Sequence, residues 1–185
     1  DIVTEKENFA AAFNGLHRGV IEYRANVEIA SVDTQQMLLN TNGGALRADV
    51  INLIPSHRAP ELIVKSGLGG ASGGRFAPVD VLSYASTIAP KVHVIGDACA
   101  TTQPKAGHLA NQQAKVCADA LVRAFAGGPP DPAPVTHSAC YSTITRTQAG
   151  WLHAVFQYDP AKQAMAPVPP AAAAALARAK ARAAA

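Results

Sequence analysis

Between Val92 and His108 the chain reads VHVIGDACATTQPKAGH, and the residue types and spacing there suggest chemistry. A β-branched apolar run stops at Gly96-Asp97; small residues, Pro104, Lys105 and Gly107 follow, and a long helical pattern then begins. A glycine closing a strand lets a second backbone or a ligand come close. An aspartate at the carboxyl end of a buried strand faces the crevice in which open α/β sheets bind ligands. Its carboxylate accepts hydrogen bonds, which suits the hydroxyls of a polyol or sugar chain. The helix start offers unpaired N–H groups and the positive end of its dipole, a setting that stabilises phosphate or negative charge on a ring. Lys105 adds a full charge just ahead of the helix, and Gly107 leaves room for a flat ligand. The pattern alone leaves two outcomes open: a ligand-binding junction, or an Asp97 that only caps a loop beside a solvated Lys105.

Other candidate groups are sparser. Cys99, Cys117 and Cys140 are odd in number and contain no CxxC pair, which excludes a simple metal knuckle or a thioredoxin motif. One pair could close, or a partner lies outside this sequence. Cys117 reads as a buried structural thiol. Cys99, next to the Gly-Asp pair, reads as a buried thiol with a redox role as the alternative. His108 and His137 lack ligand spacing, as do His17, His57, His93 and His153, so no metal site is expected. The segment GLGGASGG contains neither GxGxxG nor GxxxxGK[ST] and precedes no helix, so it reads as a flexible connector between lobes. Tyr141 and Trp151 sit in β-rich sequence, where aromatics are core residues more often than docking or electron-path residues.

The elements that must position these groups follow from periodicity. Glu7 to Leu16 has helical spacing at Phe9, Phe13 and Leu16. Val20 to Tyr23 reads as a short strand. Val27 to Val32 and Gln36 to Leu39 read as a strand pair turning at Val32-Asp33-Thr34-Gln35. A second turn falls at Asn42-Gly43-Gly44. Ala48 to Ile54 is apolar nearly throughout, as expected of a central strand covered on both faces and stopped by Pro55. Ala59 to Ser66 predicts a helix capped by Gly67. Val79 to Ser83 and Thr87-Ile88 are short apolar pieces, and Val92 to Ile95 reads as a buried strand. Leu109 to Ala126 predicts the longest helix, with Leu109, Val116, Ala120 and Phe125 on its apolar side and Gly127-Gly128-Pro129-Pro130 ending it. PPDPAP is a stiff linker. ACYSTITRT and GWLHAVFQY read as β segments, and Ala171 to Ala185 as an exposed helix with little apolar surface beyond Leu176. There is no internal repeat.

Bulk composition sets outer limits. The chain has 185 residues, 49% of them apolar and 16% charged, enough to bury a core in one domain or two small ones. A formal charge of +3 without a Lys/Arg block argues against nucleic acid as a partner. The longest apolar run falls well short of the roughly 18 residues of a transmembrane helix, and no signal-peptide pattern opens the chain.

The segment VHVIGDACATTQPKAGHLANQQAKVCADAL resembles the second flavin-binding motif in the flavoprotein subunits of flavocytochrome c sulfide dehydrogenases. ADVINLIPSHRAPELIVKSGL and APVDVLSYASTIAPKVHVIGDA are similar to the preceding parts of that subunit. SACYSTITRTQAGWLHAVFQYD resembles its C-terminal domain, Cys-Tyr-Ser included, and the likeness runs to about Asp159. The Ala-rich tail departs from the family, which carries aromatic residues there.

The resemblance implies an α/β fold: part of a two-dinucleotide-binding-domain, glutathione-reductase-like flavoprotein plus a small α+β C-terminal domain. Residues 1–75 would end the NAD-like domain, 76–130 would be the return segment of the FAD domain, and 131–185 would be the flavin-cysteine and interface domain. It implies an FAD half-site in which Asp97 holds the ribityl or pyrophosphate region, Gly96 allows approach and Ala98 offers its N–H. Lys105, Ala106 and Gly107 would lie at the flavin pyrimidine edge, where positive charge stabilises the anionic reduced ring. Cys140 would be one half of a redox disulfide whose partner lies outside this chain. Sulfide would be the substrate, a c-type cytochrome subunit the acceptor and the periplasm the compartment. Two alternatives remain. One is a sulfide:quinone reductase or type II NADH dehydrogenase relative, which shares the GD and PK features, although the Ala-rich tail speaks against membrane docking. The other is a non-catalytic docking module.

Overall fold

The computed structural model describes residues 3–70 and 74–169. Its chain divides into two units, Asp1–His57 and Arg58–Ala185. In the first, helix α1 spans Val3–Asn14, two residues short of the expected Leu16, which is 62% exposed. The Phe9 and Phe13 rings meet at a tilt of 35° with centroids 5.8 Å apart, and the Tyr23 ring lies 5.9 Å from Phe13. The strand expected at Val20 to Tyr23 does not form: these residues are turn and coil, and Val20 is 83% exposed.

The expected strand pair is present, one to two residues later than expected, as β1 (Ile29–Asp33) and β2 (Leu38–Thr41), with the turn at 34–37; a third strand, β3 (Gly44–Arg47), was not expected and completes an antiparallel meander. Asp33 Oδ1 accepts the N–H groups of Gln35 and Gln36, both at 2.9 Å, the side-chain-to-backbone pattern that makes Asp a turn former. Asn42-Gly43 closes the second hairpin between Thr41 and Gly44. The central strand expected at Ala48 to Ile54 is absent: residues 48–54 form no regular element, and Val50 and Ile54 are exposed. An apolar run becomes a buried strand only when neighbours supply a hydrogen-bond ladder and apolar layers, and no strand among the described residues pairs with this one.

In the second unit, α2 (Glu61–Lys65) is the short helix expected, and Gly67 follows it at φ +74°. Part of the glycine-rich connector, residues 71–73, lies outside the described residues, as does the helix expected at Ala171 to Ala185. β4 (Ala77–Asp80) pairs antiparallel with β5 (Ala85–Ser86) and parallel with β6 (Cys99–Ala100), in the order β5-β4-β6. The buried strand expected at Val92 to Ile95 reduces to one bridge, His93 to Ala85; Val94 is buried, but Val92 and Ile95 are exposed. Helix α3 (Gly107–Phe125) follows, then an antiparallel sheet β7-β8-β9 (Val135–Thr143, Ala149–Asp159, Ala164–Pro167).

Helix α3 buries Leu109, Gln112, Gln113, Cys117 and Ala120, while Phe125 is 87% exposed, against expectation. Phe125 lies five residues past Ala120, about 140° round the helix at 3.6 residues per turn, so it leaves the buried face. One apolar cluster joins Ile63, Ala77, Tyr84, Val94, Cys99 and Cys117; a second joins Val81, Leu109, Phe156 and Met165. The second cluster packs the start of α3 against the C-terminal sheet. The architecture is therefore mixed α/β, with a small antiparallel sheet at its C-terminal end.

Candidate functional site

Gly96, Asp97 and Ala98 form a single 3₁₀ turn between the His93 bridge and β6. Gly96 sits at φ +69°, and a Cβ built there would lie 3.2 Å from the Ala110 Cβ. Glycine is therefore favoured by the left-handed backbone, and the close passage of α3 leaves a Cβ little room. The Gly96 N–H donates to Gln113 Oε1 at 2.7 Å, fixing the turn to the second turn of the helix. Asp97 is exposed at the tip and Ala98 is half-buried.

A buried polar network backs this turn. Tyr84 Oη donates to Gln103 Oε1 at 3.2 Å, Gln113 Nε2 donates to the same oxygen at 3.2 Å, and Gln103 Nε2 donates to Thr136 Oγ1 at 2.5 Å. Among the described residues no buried side-chain polar atom lacks a partner. The network ties the Gly-Asp turn, the 101–106 loop, α3 and β7 into one frame. Periodicity could not find it, because it rests on two glutamines, Gln103 in the loop and Gln113 on the buried face of α3, whose residue type usually faces solvent. A full set of partners turns such costly buried polar groups into a means of fixing geometry.

Cys99 belongs to this frame. It is fully buried, and its Sγ donates to the Gly96 carbonyl at 3.1 Å. Burial pushes its thiol pKa up, against a smaller opposing pull from Lys105. Burial also pushes the Cys117 thiol up. Neither thiol is poised for reaction, in line with the buried-thiol readings.

Lys105 is half-buried. Its Nζ donates to the Cys99 carbonyl and lies 4.1 Å from the centroid of the Phe76 ring, a cation–π contact. The ammonium is thus engaged within the chain at the head of α3. It also lines an open cleft of about 390 Å³ whose walls include Phe76, Val79, Val81, Thr101 and Thr102.

Helix α3 begins at Gly107 with Ala106 as N-cap, and no side chain caps it. A Cβ at Gly107 would meet nothing within 4 Å, so the space beside the helix start is open. His108 Nδ1 accepts the Ala139 N–H at 3.1 Å, and its ring meets that of His137 edge-on with centroids 5.1 Å apart. The two histidines that lacked ligand spacing are therefore neighbours, yet among the described residues no group of three His, Cys, Asp or Glu side chains could hold a metal.

Cys140 follows Ala139 directly. It is half-buried on β7, opposite Leu152 and 3.8 Å from Ser138 Oγ. Strand alternation sets Thr136, Ser138 and Cys140 on one face and Tyr141 on the other. Tyr141 and Trp151 are cross-strand partners with rings 9° from parallel and centroids 6.2 Å apart. They are 76% and 62% exposed, which overturns the core reading. Sequence could not separate the two faces, because residues on both sides of this strand are polar or small.

The arrangement gathers Gly96, Asp97, Ala98, Lys105, Ala106 and Gly107 along one turn, loop and helix start, with the Cys140 strand tied to that helix start. An exposed carboxylate, an uncapped helix start and a glycine beside open space fit a ligand with hydroxyls and an electron-rich edge. Lys105 fits it less directly, since its ammonium is engaged by Cys99 and Phe76. Among the described residues no helix is long and apolar enough to cross a membrane.

No protein-family model matches the chain. Over 87 residues, 44% of this chain, it is 38% identical to the mitochondrial sulfide:quinone oxidoreductase of Schizosaccharomyces pombe. The matched stretch spans 18% of that relative's length.

Proposed function

We propose that this chain is the C-terminal piece of an FAD-dependent sulfide oxidoreductase. The observation that carries the reading is the meeting, at one helix end, of a Gly-Asp turn locked onto α3 and a cysteine-bearing strand tied to the first turn of α3. The similarity to a sulfide:quinone oxidoreductase supports it. On this reading residues 1–75 close the NAD-like domain, 76–130 return to the FAD domain of a glutathione-reductase-like fold, and 131–185 carry the flavin-side cysteine.

Asp97 would hold the polyol chain of FAD, with Gly96 leaving space and Ala98 offering its N–H. The N–H groups at Ala106 and Gly107 would face the electron-rich edge of the ring. Lys105, braced by the Cys99 carbonyl and Phe76, would keep a positive charge at the helix start. FAD, when bound, accepts an electron pair. Cys140 would form a disulfide with a cysteine outside this chain. Hydrosulfide would attack that bond: one S–S bond breaks, one forms, and a persulfide and a thiolate result.

Two acceptors follow from two observations. The sequence resemblance implies a c-type cytochrome subunit in the periplasm. The name of the matched relative favours a quinone. Sulfide oxidation by the natural protein that carries this chain, assayed with cytochrome c and with a soluble quinone side by side, tests the reading. Turnover with either acceptor supports it and names the acceptor; turnover with neither contradicts it. The isolated chain holds one half-site, so calorimetry should give FAD affinity weaker than about micromolar.

A further inference from the structure

We infer that His108 is a positioning residue for Cys140, an inference that rests on the role proposed above for that cysteine. β7 is an edge strand of its sheet, so part of its backbone has no neighbouring strand to bond. The Ala139 N–H points out of the ladder and is taken by His108 Nδ1 at 3.1 Å. Because Nδ1 accepts, the proton of the neutral ring sits on Nε2. The His137 ring, edge-on at 5.1 Å, holds the imidazole in that orientation.

His108 is the second residue of α3, and Ala139 is bonded directly to Cys140. One hydrogen bond thus sets the height of Cys140 against the helix start at which the ligand edge would lie. The ties made by side chains on the Cys140 face are placed differently. Thr136 is held by Gln103 four residues away, and the Ser138 hydroxyl is 3.8 Å from the Cys140 sulfur. The β8 ladder holds the inner edge of β7, so without the His108 bond it is the outer edge beside the thiol that loses its tie to α3.

The atom that matters is Nδ1, and two polar substitutions separate it from the rest of the ring. In His108→Asn the side-chain oxygen falls where Nδ1 was; in His108→Gln it falls one bond further out. Both are made in the 185-residue chain. Two readouts are taken: amide exchange at Ala139 by NMR, and the alkylation rate of Cys140 with a neutral reagent, mapped separately from Cys99 and Cys117. Exchange at Ala139 should speed up about tenfold in the Gln variant and stay within about twofold of wild type in the Asn variant, the size of one lost hydrogen bond. Cys140 alkylation should follow the same order. Equal behaviour of the two variants, or an Ala139 response without a Cys140 response, overturns the inference. Neither readout needs flavin or sulfide, so a sulfide assay that fails while Ala139 follows the predicted order counts against the functional reading alone.

Discussion

Gln113, in the second turn of α3, accepts the backbone N–H of Gly96 at 2.7 Å and donates from its other side to Gln103. One side chain thereby holds the Gly-Asp turn at a fixed distance from the helix and passes that constraint to the loop carrying Lys105. Gln113→Leu keeps the volume and removes both of these bonds, together with the weaker one that Gln113 accepts from the Cys99 thiol at 3.7 Å. It should cost about 1–3 kcal/mol, the penalty for stranding polar groups in a buried setting. Urea unfolding with an unchanged slope and a lower midpoint would show this; an unchanged midpoint would count against the network.

Gly96→Ala should cost about 1–2 kcal/mol for the left-handed backbone alone, with crowding against Ala110 added. Ala110→Gly relieves only the crowding. A double-mutant cycle should therefore show favourable coupling between the two positions while most of the backbone cost remains. Full additivity would mean that the 3.2 Å approach carries no energy.

Stability should fall in alkali, and the sign follows from burial. Burial raises the Cys99 and Cys117 thiols and the Tyr84 phenol, with the two cysteines adding to the Tyr84 effect. The unfolded chain then releases protons that the folded chain retains. The stabilisation is complete below the unfolded cysteine value of about 8.5 and is lost as pH rises above it. Urea midpoints under reducing conditions should drop between about pH 8 and pH 10, and Cys99→Ala should shrink the drop. A flat profile would contradict the burial of these groups.

The three thiols should separate by reactivity. Cys99 and Cys117 are buried with raised pKa values, while Cys140 is half-buried on an edge strand. Iodoacetamide should modify Cys140 first, and peptide mapping reads the order directly. Modification of Cys99 ahead of Cys140 would remove the case for Cys140 as the reactive sulfur.

Elements set by local backbone and side-chain chemistry are legible in the sequence, and those that depend on distant neighbours are not. Asp33, Asn42-Gly43 and Gly67 end or turn their elements through local chemistry, within a residue or two of the expectation. Gly107 opens α3 and the Gly127-Gly128 pair closes it within a residue or two of the expectation. Val92 to Ile95 and Ala48 to Ile54 are apolar enough to be strands, but a strand also needs a partner, and composition does not specify one. The frame of the site was hidden for a related reason. Gln103, Gln113 and Thr136 are ordinary surface residue types, and only the fold shows that they are buried against one another. Asp97, Lys105 and Cys140 stood out because charge, glycine spacing and thiol chemistry are visible in one dimension. The engagement of Lys105 by Phe76 was not, since 29 residues separate the pair.

The central claim is that hydrosulfide reduces the protein through Cys140. Anaerobic titration of the FAD-loaded natural protein with sulfide, followed in the flavin's visible band, tests it most directly. Bleaching in the wild type and its loss in Cys140→Ser, with flavin still bound, is the predicted result. A protein that binds FAD and is not bleached by sulfide, or a Cys140→Ser variant that bleaches as fast as wild type, would contradict it.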